Sequence, residues 1–331
     1  MKKSDPIAAA IGRVLSGAKE GRRSLRSLSE ALSISDQDVC EGLETLSEQG
    51  FDIRKTPEGI ELHSPPEYDL APSYVASLLP EDVFGDAIIH TYDTLPSTQD
   101  TAKELGRNGN RLVVVFAEEQ TKGKGRRGRR WLSCRGCGLF FSVLFKPPLP
   151  ACKLQLVNLA AALAVKDAVS ALYSVELSVK WPNDLLYKGG KVCGILSEAS
   201  IGARDILDCR TGIGINIVPP DPVADEGAVL FNANHIGEAA NAPVHRGRLA
   251  AEILARYFRL LDQAASDGGQ TLLYSYRASC STLGRDVSVI TDEGTVTGKA
   301  VGIGEDGELL LETEGGEMAF NAVDVVHATP S

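Results

Sequence analysis

The chain has 331 residues, 43% of them hydrophobic, which is enough for two or three domains with apolar cores and excludes a disordered tail protein. Its 44 acidic and 34 basic residues give a net charge of −10, which excludes a surface that binds nucleic acid through overall charge. The sequence has neither an uninterrupted run of 18 apolar residues nor an export signal, so we expect a cytoplasmic protein.

Residues 1–66 predict a winged helix-turn-helix domain. Three segments with the apolar spacing of helices precede a pair of short strands at 51–56 and 59–64. Ser35 is the expected N-cap of the third helix, because a serine hydroxyl can accept a hydrogen bond from a free amide of the first turn. Two prolines within 63–67 predict a linker, since proline cannot continue a helix.

The third helix is the one expected to read DNA, yet residues 35–49 contain five acidic residues and no Lys or Arg. Phosphate groups would repel these carboxylates and oppose binding. Contacts with DNA would then fall to Arg26, Gln37, Arg54 and Lys55. The pattern leaves two alternatives open: a repressor that binds DNA weakly, or a winged helix that serves folding or regulation.

Residues 67–278 alternate strands and helices and predict a mixed α/β domain. The predicted elements are strand 87–95, helix 97–109 opened by a Ser/Thr cap, strands 111–120 and 139–146, helix 153–173, strands 176–188, 191–200 and 208–218, and helix 248–265. The last three strands have the spacing of an antiparallel meander. Residues 279–331 predict a small β-barrel, because short strands there are separated by turns at 292–294, 305–307 and 314–316.

A glycine-rich basic loop follows strand 111–120. Ten Lys or Arg residues and no acid occur from Gln120 to Lys166 inclusive, in the most basic part of an acidic chain. Glycines let a backbone approach a ligand, and amides with cationic side chains suit a polyphosphate or an oxyanion. The alternative is a solvated basic loop. A Walker A loop is excluded because GxxxxGK[ST] is not satisfied there.

Cys134 and Cys137 form a CxxC pair within this basic stretch. With no second pair and no histidine nearby, zinc binding is not favoured, and we expect ordinary reduced residues.

A second polar cluster lies on a predicted strand pair. Lys180, Asn183 and Asp184 belong to one strand and Lys191 to its hairpin partner, so their side chains could face the same side. They could equally be strand-end and turn residues.

Taken together, the motifs resemble the biotin protein ligase family in order and spacing, over nearly the whole chain. The matching segments are Ser97-Thr98-Gln99, Gln120, Gly123 to Trp131, Lys180 to Leu185, Gly190 to Leu196 and Gly212 to Asn216. With the N-terminal and C-terminal segments, the chain resembles the bifunctional form, which is ligase and biotin operon repressor in one polypeptide. The resemblance implies an α+β fold with a winged helix-turn-helix, a central biotin/lipoate-ligase-like catalytic domain and an SH3-like barrel.

The resemblance also implies a reaction. The family joins biotin to ATP, giving biotinyl-5′-AMP, and passes the biotinyl group to a lysine of a biotin carboxyl carrier protein. Mg²⁺ would enter with ATP, without a metal cage of protein side chains. The other implied partners are operator DNA and a second copy of the chain, joined through an open edge of the central sheet.

By the same resemblance, two residues are expected to be catalytic, namely Lys191 and Arg126. The biotin-binding residues are expected to be Ser97, Thr98, Gln99, Gln120, Lys124, Gly125, Arg126 and Lys191. The ATP- or adenylate-binding residues are expected to be Arg126, Arg129, Trp131, Asn183 and Asn216. Lys124 stands where the family commonly has arginine, so it keeps the charge and loses the bidentate geometry. Two alternatives stay open, a lipoate-type ligase and a DNA-binding regulator that only senses biotinyl-adenylate.

Overall fold

The structure is a computed structural model, and the fold is mixed α and β. It describes residues 2–3, 5–16, 22–107, 109, 112–202, 206–220, 233–291, 294–321 and 324–327. Within these ranges the strands form three sheets, of eight, five and three strands. The predicted turn at 292–294 lies outside the described residues except for Gly294.

The N-terminal unit contains three helices and a three-stranded sheet in the order β2-β4-β3. In chain order the first elements are β1 (Lys2–Lys3), α1 (Pro6–Ser16), β2 (Arg22–Arg23), α2 (Leu25–Leu32), α3 (Asp36–Glu48), β3 (Asp52–Thr56) and β4 (Gly59–Ser64). The three helices bury one apolar face each, which includes Ile11, Leu28 and Leu43. The predicted cap at Ser35 is confirmed, because its hydroxyl accepts from Asp38 N and the Asp38 carboxylate accepts from Ser35 N, both at 3.1 Å.

The central part carries the large sheet. Its elements are α4 (Pro72–Leu78), α5 (Glu81–Phe84), β5 (Ile88–Leu95), α6 (Thr98–Gly106), β6 (Val113–Gln120), β7 (Gly138–Phe145), α7 (Leu154–Tyr173), β8 (Ser178–Lys180), β9 (Asp184–Tyr187), β10 (Gly190–Ile201), β11 (Ile206–Asn216), α8 (Arg246–Asp267) and α9 (Gln270–Ser279). The strand order is β1-β5-β6-β7-β11-β10-β9-β8. β5 and β6 are parallel, and β8 to β11 form the predicted antiparallel meander.

Both faces of the sheet are covered. The long apolar helix α7 packs with α8 on one face, against β10 and β11 among others. α6 packs on the other face, against β6, β7 and β11. Strands covered on both faces are apolar throughout, and all eight residues of β7 are buried. The beginning of α6 therefore lies directly over the middle of the sheet.

The C-terminal part is a five-stranded antiparallel sheet in the order β15-β14-β13-β12-β16. Its strands are β12 (Asp286–Ile290), β13 (Thr295–Ile303), β14 (Leu309–Thr313), β15 (Gly316–Phe320) and β16 (Asp324–His327). The predicted turns at 305–307 and 314–316 connect successive strands. This sheet contacts the central part through Trp181, whose indole Nε1 donates to Gly307 O at 3.0 Å.

Three features depart from the sequence prediction. The single strand predicted at 176–188 is two strands, β8 and β9, because Pro182 has no N–H to donate to a ladder. The short helices α4 and α5 and the helix α9 carry too few periodic residues to have been recognised. β1, of only two residues, joins β5 of the large sheet at Lys2↔Thr91 and Lys3↔His90.

Candidate active site

The cationic loop leaves the sheet at the end of β6 and returns as a narrow hairpin. Gly125 N donates to Arg129 O at 2.7 Å, and Trp131 N donates to Gly123 O at 2.9 Å. A Cβ at position 123 would overlap the Trp131 carbonyl, so only glycine fits this close approach. The hairpin encloses one side of a cavity of about 610 Å³, whose wall consists of residues 121–130, Leu196 and Glu198. Backbone amides and several cations thus surround a single space.

Where β6 ends and the cationic loop begins, the start of α6 lies beside Gln120. Ser97 occupies the N-cap position, but its hydroxyl makes no capping hydrogen bond, so the predicted Ser/Thr cap is wrong. The Gln120 side chain replaces it, because its Oε1 accepts from Thr98 N at 2.9 Å. Ser97 Oγ is buried without a hydrogen-bond partner among the described residues.

Gln99 lies over a glycine of the sheet. Its Nε2 donates to Leu196 O at 2.6 Å, whereas its Oε1 is buried with no partner in the described part of the chain. A Cβ at Gly212 would come within 2.9 Å of Gln99 Nε2, so a side chain there would displace the amide. Ser97 and Gln99 are only 1% and 4% exposed. Two orphaned polar atoms at such depth indicate a site for a polar ligand, since leaving them unmatched costs free energy.

Two serines on neighbouring segments orient the Gln120 amide and the Thr98 hydroxyl. Gln120 Nε2 donates to Ser133 Oγ at 2.8 Å, and the hydroxyls of Thr98 and Ser142 lie 2.7 Å apart. Neither serine was predicted. Ser142 was detectable in principle, as the one polar residue within a strand of buried apolar residues.

At the other end of the surface, the Trp131 indole lies on two glycines of the sheet. A Cβ at Gly194 would come within 2.7 Å of its ring, and one at Gly214 would also overlap it. Lys191 Nζ lies 5.2 Å from the centroid of the indole ring, within the range of a cation–π interaction. Trp131 Nε1 is buried and has no partner among the described residues.

Lys191 on β10 and Arg126 in the loop are held by two consecutive residues, Asp184 and Asn183. Lys191 Nζ lies 2.6 Å from Asp184 Oδ1, with the lysine side chain one-third exposed. Arg126 Nη1 donates to Asn183 Oδ1 at 3.2 Å. Asn183 in turn donates from Nδ2 to Ile195 O at 3.0 Å, which fixes the amide against β10. Two cations are thereby positioned at the same end of the site.

The remaining predicted ligase residues complete this surface. Asn216 Nδ2 donates to Lys191 O at 3.4 Å. Lys124 Nζ forms an exposed ion pair with Asp100 Oδ1 at 2.5 Å. Lys124, Gly125, Arg126 and Arg129 all line the cavity. The structure therefore brings the residues singled out for biotin, ATP and catalysis onto one continuous surface.

The four residues singled out for DNA lie in the N-terminal unit, away from this surface. Arg26 pairs with Glu30, Gln37 donates to Glu41, and Arg54 pairs with Asp52. Lys55 is exposed on β3.

The cysteines differ from expectation in one respect. Cys134 and Cys137 are joined as a disulfide, so the prediction of two ordinary reduced residues is wrong. The turn that brings them together has Cys137 N donating to Cys134 O at 3.2 Å and Gly136 at a φ of 73°.

Cys193 lies near Lys191. Burial raises the pKa of the Cys193 thiol, and the charge of Lys191 only partly offsets this rise. Cys193 is therefore a protonated packing residue and not a nucleophile.

Within the described ranges, no group of three His, Cys, Asp or Glu side chains could hold a metal ion. Among the described helices, one segment, Ala151–Tyr173, is long and apolar enough to cross a membrane, but its apolar window is 72% buried inside the protein. It contains α7 and is accounted for as the core helix of the central part.

Comparisons with known proteins agree with this geometry. Residues 92–216 match the Biotin/lipoate A/B protein ligase family, and residues 282–327 match the Biotin protein ligase C terminal domain. The bifunctional ligase/repressor BirA of Bacillus subtilis is 31% identical over 301 residues, covering 90% of this chain and 91% of that protein. The biotin–acetyl-CoA-carboxylase ligase of Mycobacterium tuberculosis is 35% identical over 221 residues, covering 65% and 79%.

Among solved structures, the biotin protein ligase from Aquifex aeolicus in complex with biotin and ATP superposes with a TM-score of 0.62 at 28% identity. The superposition covers 72% of this chain and 99% of that one.

Proposed function

The chain belongs to the biotin protein ligase family, and on that premise we propose that it joins biotin to ATP and transfers the biotinyl group to a lysine of a biotin carboxyl carrier protein. One observation carries the proposal. Ser97 Oγ and Gln99 Oε1 are buried with no partner in the part of the chain that the structure describes, near the glycines of the sheet and the cationic loop. A small ligand with a polar edge and an apolar body fits there, and biotin has both, in its ureido group and in the thioether ring fused to it.

The charge distribution suits the first half of the reaction. The biotin carboxylate oxygen attacks the α-phosphorus of ATP, the bond to the β-phosphate oxygen breaks, and pyrophosphate leaves. Attack by one anion on another is opposed by repulsion. Lys191, Arg126 and the other cations of the loop lower that barrier, because their charges are already held in place when negative charge develops.

Trp131, Asn183 and Asn216 are proposed to hold the nucleotide, together with Arg126 and Arg129. Trp131 presents an aromatic face and an orphaned N–H next to Lys191. Magnesium, entering with the triphosphate, would supply additional positive charge on the phosphates. The described side chains offer no three-ligand cage, so the phosphates themselves would carry the ion.

In the second half of the reaction, the amine of the carrier lysine attacks the acyl carbon of biotinyl-5′-AMP, and AMP leaves. A loop that covers the mixed anhydride excludes water, which would otherwise hydrolyse it. The hairpin from Gly123 to Trp131 lines the cavity, which supports this role for it.

We propose that the N-terminal unit is a winged helix-turn-helix, that 279–331 is an SH3-like barrel, and that the catalytic domain spans 67–278 between them. The three helices and the three-stranded sheet of the first 66 residues support this division. The Bacillus subtilis relative is named a ligase/repressor, and a repressor role here would use Arg26, Gln37, Arg54 and Lys55 on operator DNA.

A homodimer is proposed through the edge of β10. β9 pairs with β10 only as far as Gly194, so in the described residues Ser197–Ile201 has a strand neighbour on one side alone. Ile201 and Leu207 are more than half exposed at the end of this hairpin. An open strand edge with apolar ends can pair with its own copy. Sedimentation at several concentrations, with biotin and ATP, should give a dimer that Ile201→Lys weakens.

The enzymatic proposal is tested by incubating the purified chain with ATP and an apo carrier domain, adding biotin in one sample and lipoate in another. Streptavidin blotting should detect the carrier only with both ATP and biotin. Lipoylation detected with an anti-lipoate antibody would favour the lipoate-type alternative. Absence of any labelling, with adenylate retained by the protein, would favour a regulator that only senses biotinyl-adenylate.

A further inference from the structure

Beneath the sheet, a chain of polar groups leads from α8 to the segment that carries Asn183, and all of its members are buried except Ser197, which is partly exposed. The Tyr257 hydroxyl lies 2.9 Å from Thr211 Oγ1, which lies 3.1 Å from Ser197 Oγ. Ser197 Oγ donates to Asn158 Oδ1 at 3.3 Å, and Asn158 Nδ2 donates to Pro182 O at 2.6 Å. Tyr257 and Thr211 are fully buried and Asn158 is 8% exposed.

Asn158 is an unexpected residue at its position. It lies in the first half of α7, where the residues around it in sequence are buried and apolar. A buried amide costs free energy unless all its groups are matched, and an apolar residue would pack at this position without that requirement. The short distance to Pro182 O shows what the amide contributes, namely a donor to one particular carbonyl.

The donors in this chain can run in only one direction. Asn158 Nδ2 donates to a carbonyl, so its Oδ1 must accept, and Ser197 must donate. The Ser197 oxygen then accepts from Thr211, and the Thr211 oxygen accepts from Tyr257. Burial raises the pKa of Tyr257 well above its ordinary value, which keeps that hydroxyl protonated as the first donor. The Pro182 carbonyl, which can only accept, therefore fixes the orientation of the Asn158 amide, and the hydroxyls satisfy the other end of that amide.

Pro182 precedes the residue that contacts Arg126. Since proline has no N–H, the carbonyl is the one backbone group through which Pro182 itself can form a hydrogen bond. On either side, Trp181 is anchored through Gly307 and Asn183 through Ile195. Between these two anchored residues, Asn158 donates to the Pro182 carbonyl from beneath the sheet. The Asn183 amide then points at Arg126.

We propose that Asn158 is a positioning residue for adenylation, which fixes the Pro182–Asn183 peptide so that Asn183 and Arg126 are aligned on the nucleotide. The inference rests on the proposed function. Asn158 itself does not touch the substrate, and acts through Asn183. It should therefore affect the use of ATP more than the use of biotin, because Arg126 is the one residue expected to serve both ligands, and separate contacts position Gln99 and Gln120 at the biotin end.

The test compares Asn158→Leu with Thr91→Val in the full-length enzyme. Both changes replace a buried side chain that donates to a backbone carbonyl with an isosteric apolar one. Thr91, however, lies on β5, away from the site, and its Oγ1 donates to Leu70 O, before α4. Asn158→Leu should raise the KM for ATP in adenylate formation about tenfold, the size expected when one hydrogen bond is lost. The KM for biotin should stay within twofold. Thr91→Val should lower the melting temperature similarly and leave both KM values unchanged.

If Asn158→Leu does not fold, Ser197→Ala removes the hydroxyl that orients the amide and should raise the KM for ATP by a smaller factor. An unchanged KM for ATP in a folded variant, or equal changes for ATP and biotin, would overturn the proposal. Binding of a non-hydrolysable ATP analogue, measured by calorimetry, gives a readout besides turnover, and Asn158→Leu should weaken it. A wild-type enzyme that forms no biotinyl-adenylate, yet binds the analogue more tightly than the variant, would refute the proposed function and the role in adenylation, and would support only a role of Asn158 in nucleotide binding.

Discussion

Lys191 has the environment that a catalytic cation needs. Asp184 at 2.6 Å and the Trp131 ring at 5.2 Å hold the ammonium group in one place, while a third of the side chain remains accessible to a ligand. A charge fixed before the reaction begins stabilises the transition state without the cost of reorienting solvent.

Replacing Lys191 tests this role. Lys191→Ala should slow single-turnover adenylate formation by about 10²–10³-fold, because the charge matters most as the α-phosphate is attacked. Affinity for ATP should fall much less. Lys191→Arg, which keeps the charge, is the matched control and should retain more activity than Lys191→Ala. Near-normal pyrophosphate release by Lys191→Ala would show that the lysine is only a surface residue of the hairpin.

His245 predicts a pH effect on stability. It caps α8, with Nδ1 accepting from Arg248 N at 3.3 Å, and it lies against Tyr74, Tyr173 and Asp69. Burial lowers its pKa below the ordinary 6.5, and the opposing effect of Asp69 does not cancel this. Below pH 6.5 the unfolded chain therefore binds a proton that the folded chain does not. This contribution to stability is complete above pH 6.5 and is lost as the pH falls below it.

The corresponding variant is His245→Asn, which keeps a good N-cap and removes the titration. Between pH 7.5 and 5.5, the wild type should lose more unfolding free energy in urea titrations than this variant does. His63→Asn, at an exposed position, should behave as the wild type. Equal pH slopes for the wild type and His245→Asn would contradict the assignment.

At the scale of elements, α3 and the cationic loop carry opposite charge. The helix is more acidic than the chain as a whole, and the loop is basic within an acidic chain. The outward face of α3 presents Asp36, Gln37, Glu41, Glu44 and Glu48, all exposed. Gln37, the expected base-reading residue, donates to Glu41 within the helix. An acidic helix face opposes approach to phosphates.

We accordingly predict weak DNA binding. A gel shift with the biotin-gene promoter of the source organism, with biotinyl-adenylate present, should show retention only at low salt. Glu41→Gln combined with Glu44→Gln should strengthen binding, because two repulsive charges are removed. Specific retention at nanomolar concentration and moderate salt by the wild type would contradict this account of the helix.

Elements with strong periodicity were predictable from the sequence, whereas their exact partners were not. α7 and the meander β8 to β11 follow from local apolar patterns, which depend on nearby residues only. β1 could not be foreseen, since its pairing with β5 depends on how the N-terminal unit packs on α4. In the site, the glycines and cations of the loop formed a local pattern, while Ser133, Ser142 and Asn158 come from distant segments and matter only after folding.

At the scale of the whole molecule, one buried ion cluster joins the linker, the sheet and α8. Arg246 contacts Asp69 at 2.7 Å and Glu118 at 2.8 Å, and all three side chains are at most 16% exposed. Glu118 lies on β6 two residues before Gln120, and Asp69 precedes α4, against which the N-terminal unit packs. Hydrogen bonds from Gln49 to Ser73 extend this connection into the N-terminal unit.

Arg246→Met should destabilise the protein by about 3–5 kcal/mol, because two carboxylates would remain buried without a counterion. Arg26→Met removes an exposed ion pair with Glu30 and should change stability little. Urea unfolding of both variants measures the difference. Equal and small losses would show that water enters the cluster and compensates the carboxylates.

The account depends most on activation of biotin at the surface beneath the cationic loop, and biotin-dependent exchange of labelled pyrophosphate into ATP measures that step without a carrier protein. The account predicts exchange that requires biotin, is not supported by lipoate, and is lost in Lys191→Ala and in Gly212→Val, whose side chain would displace Gln99. Exchange that proceeds without biotin, or that both variants retain at the wild-type rate, would contradict it.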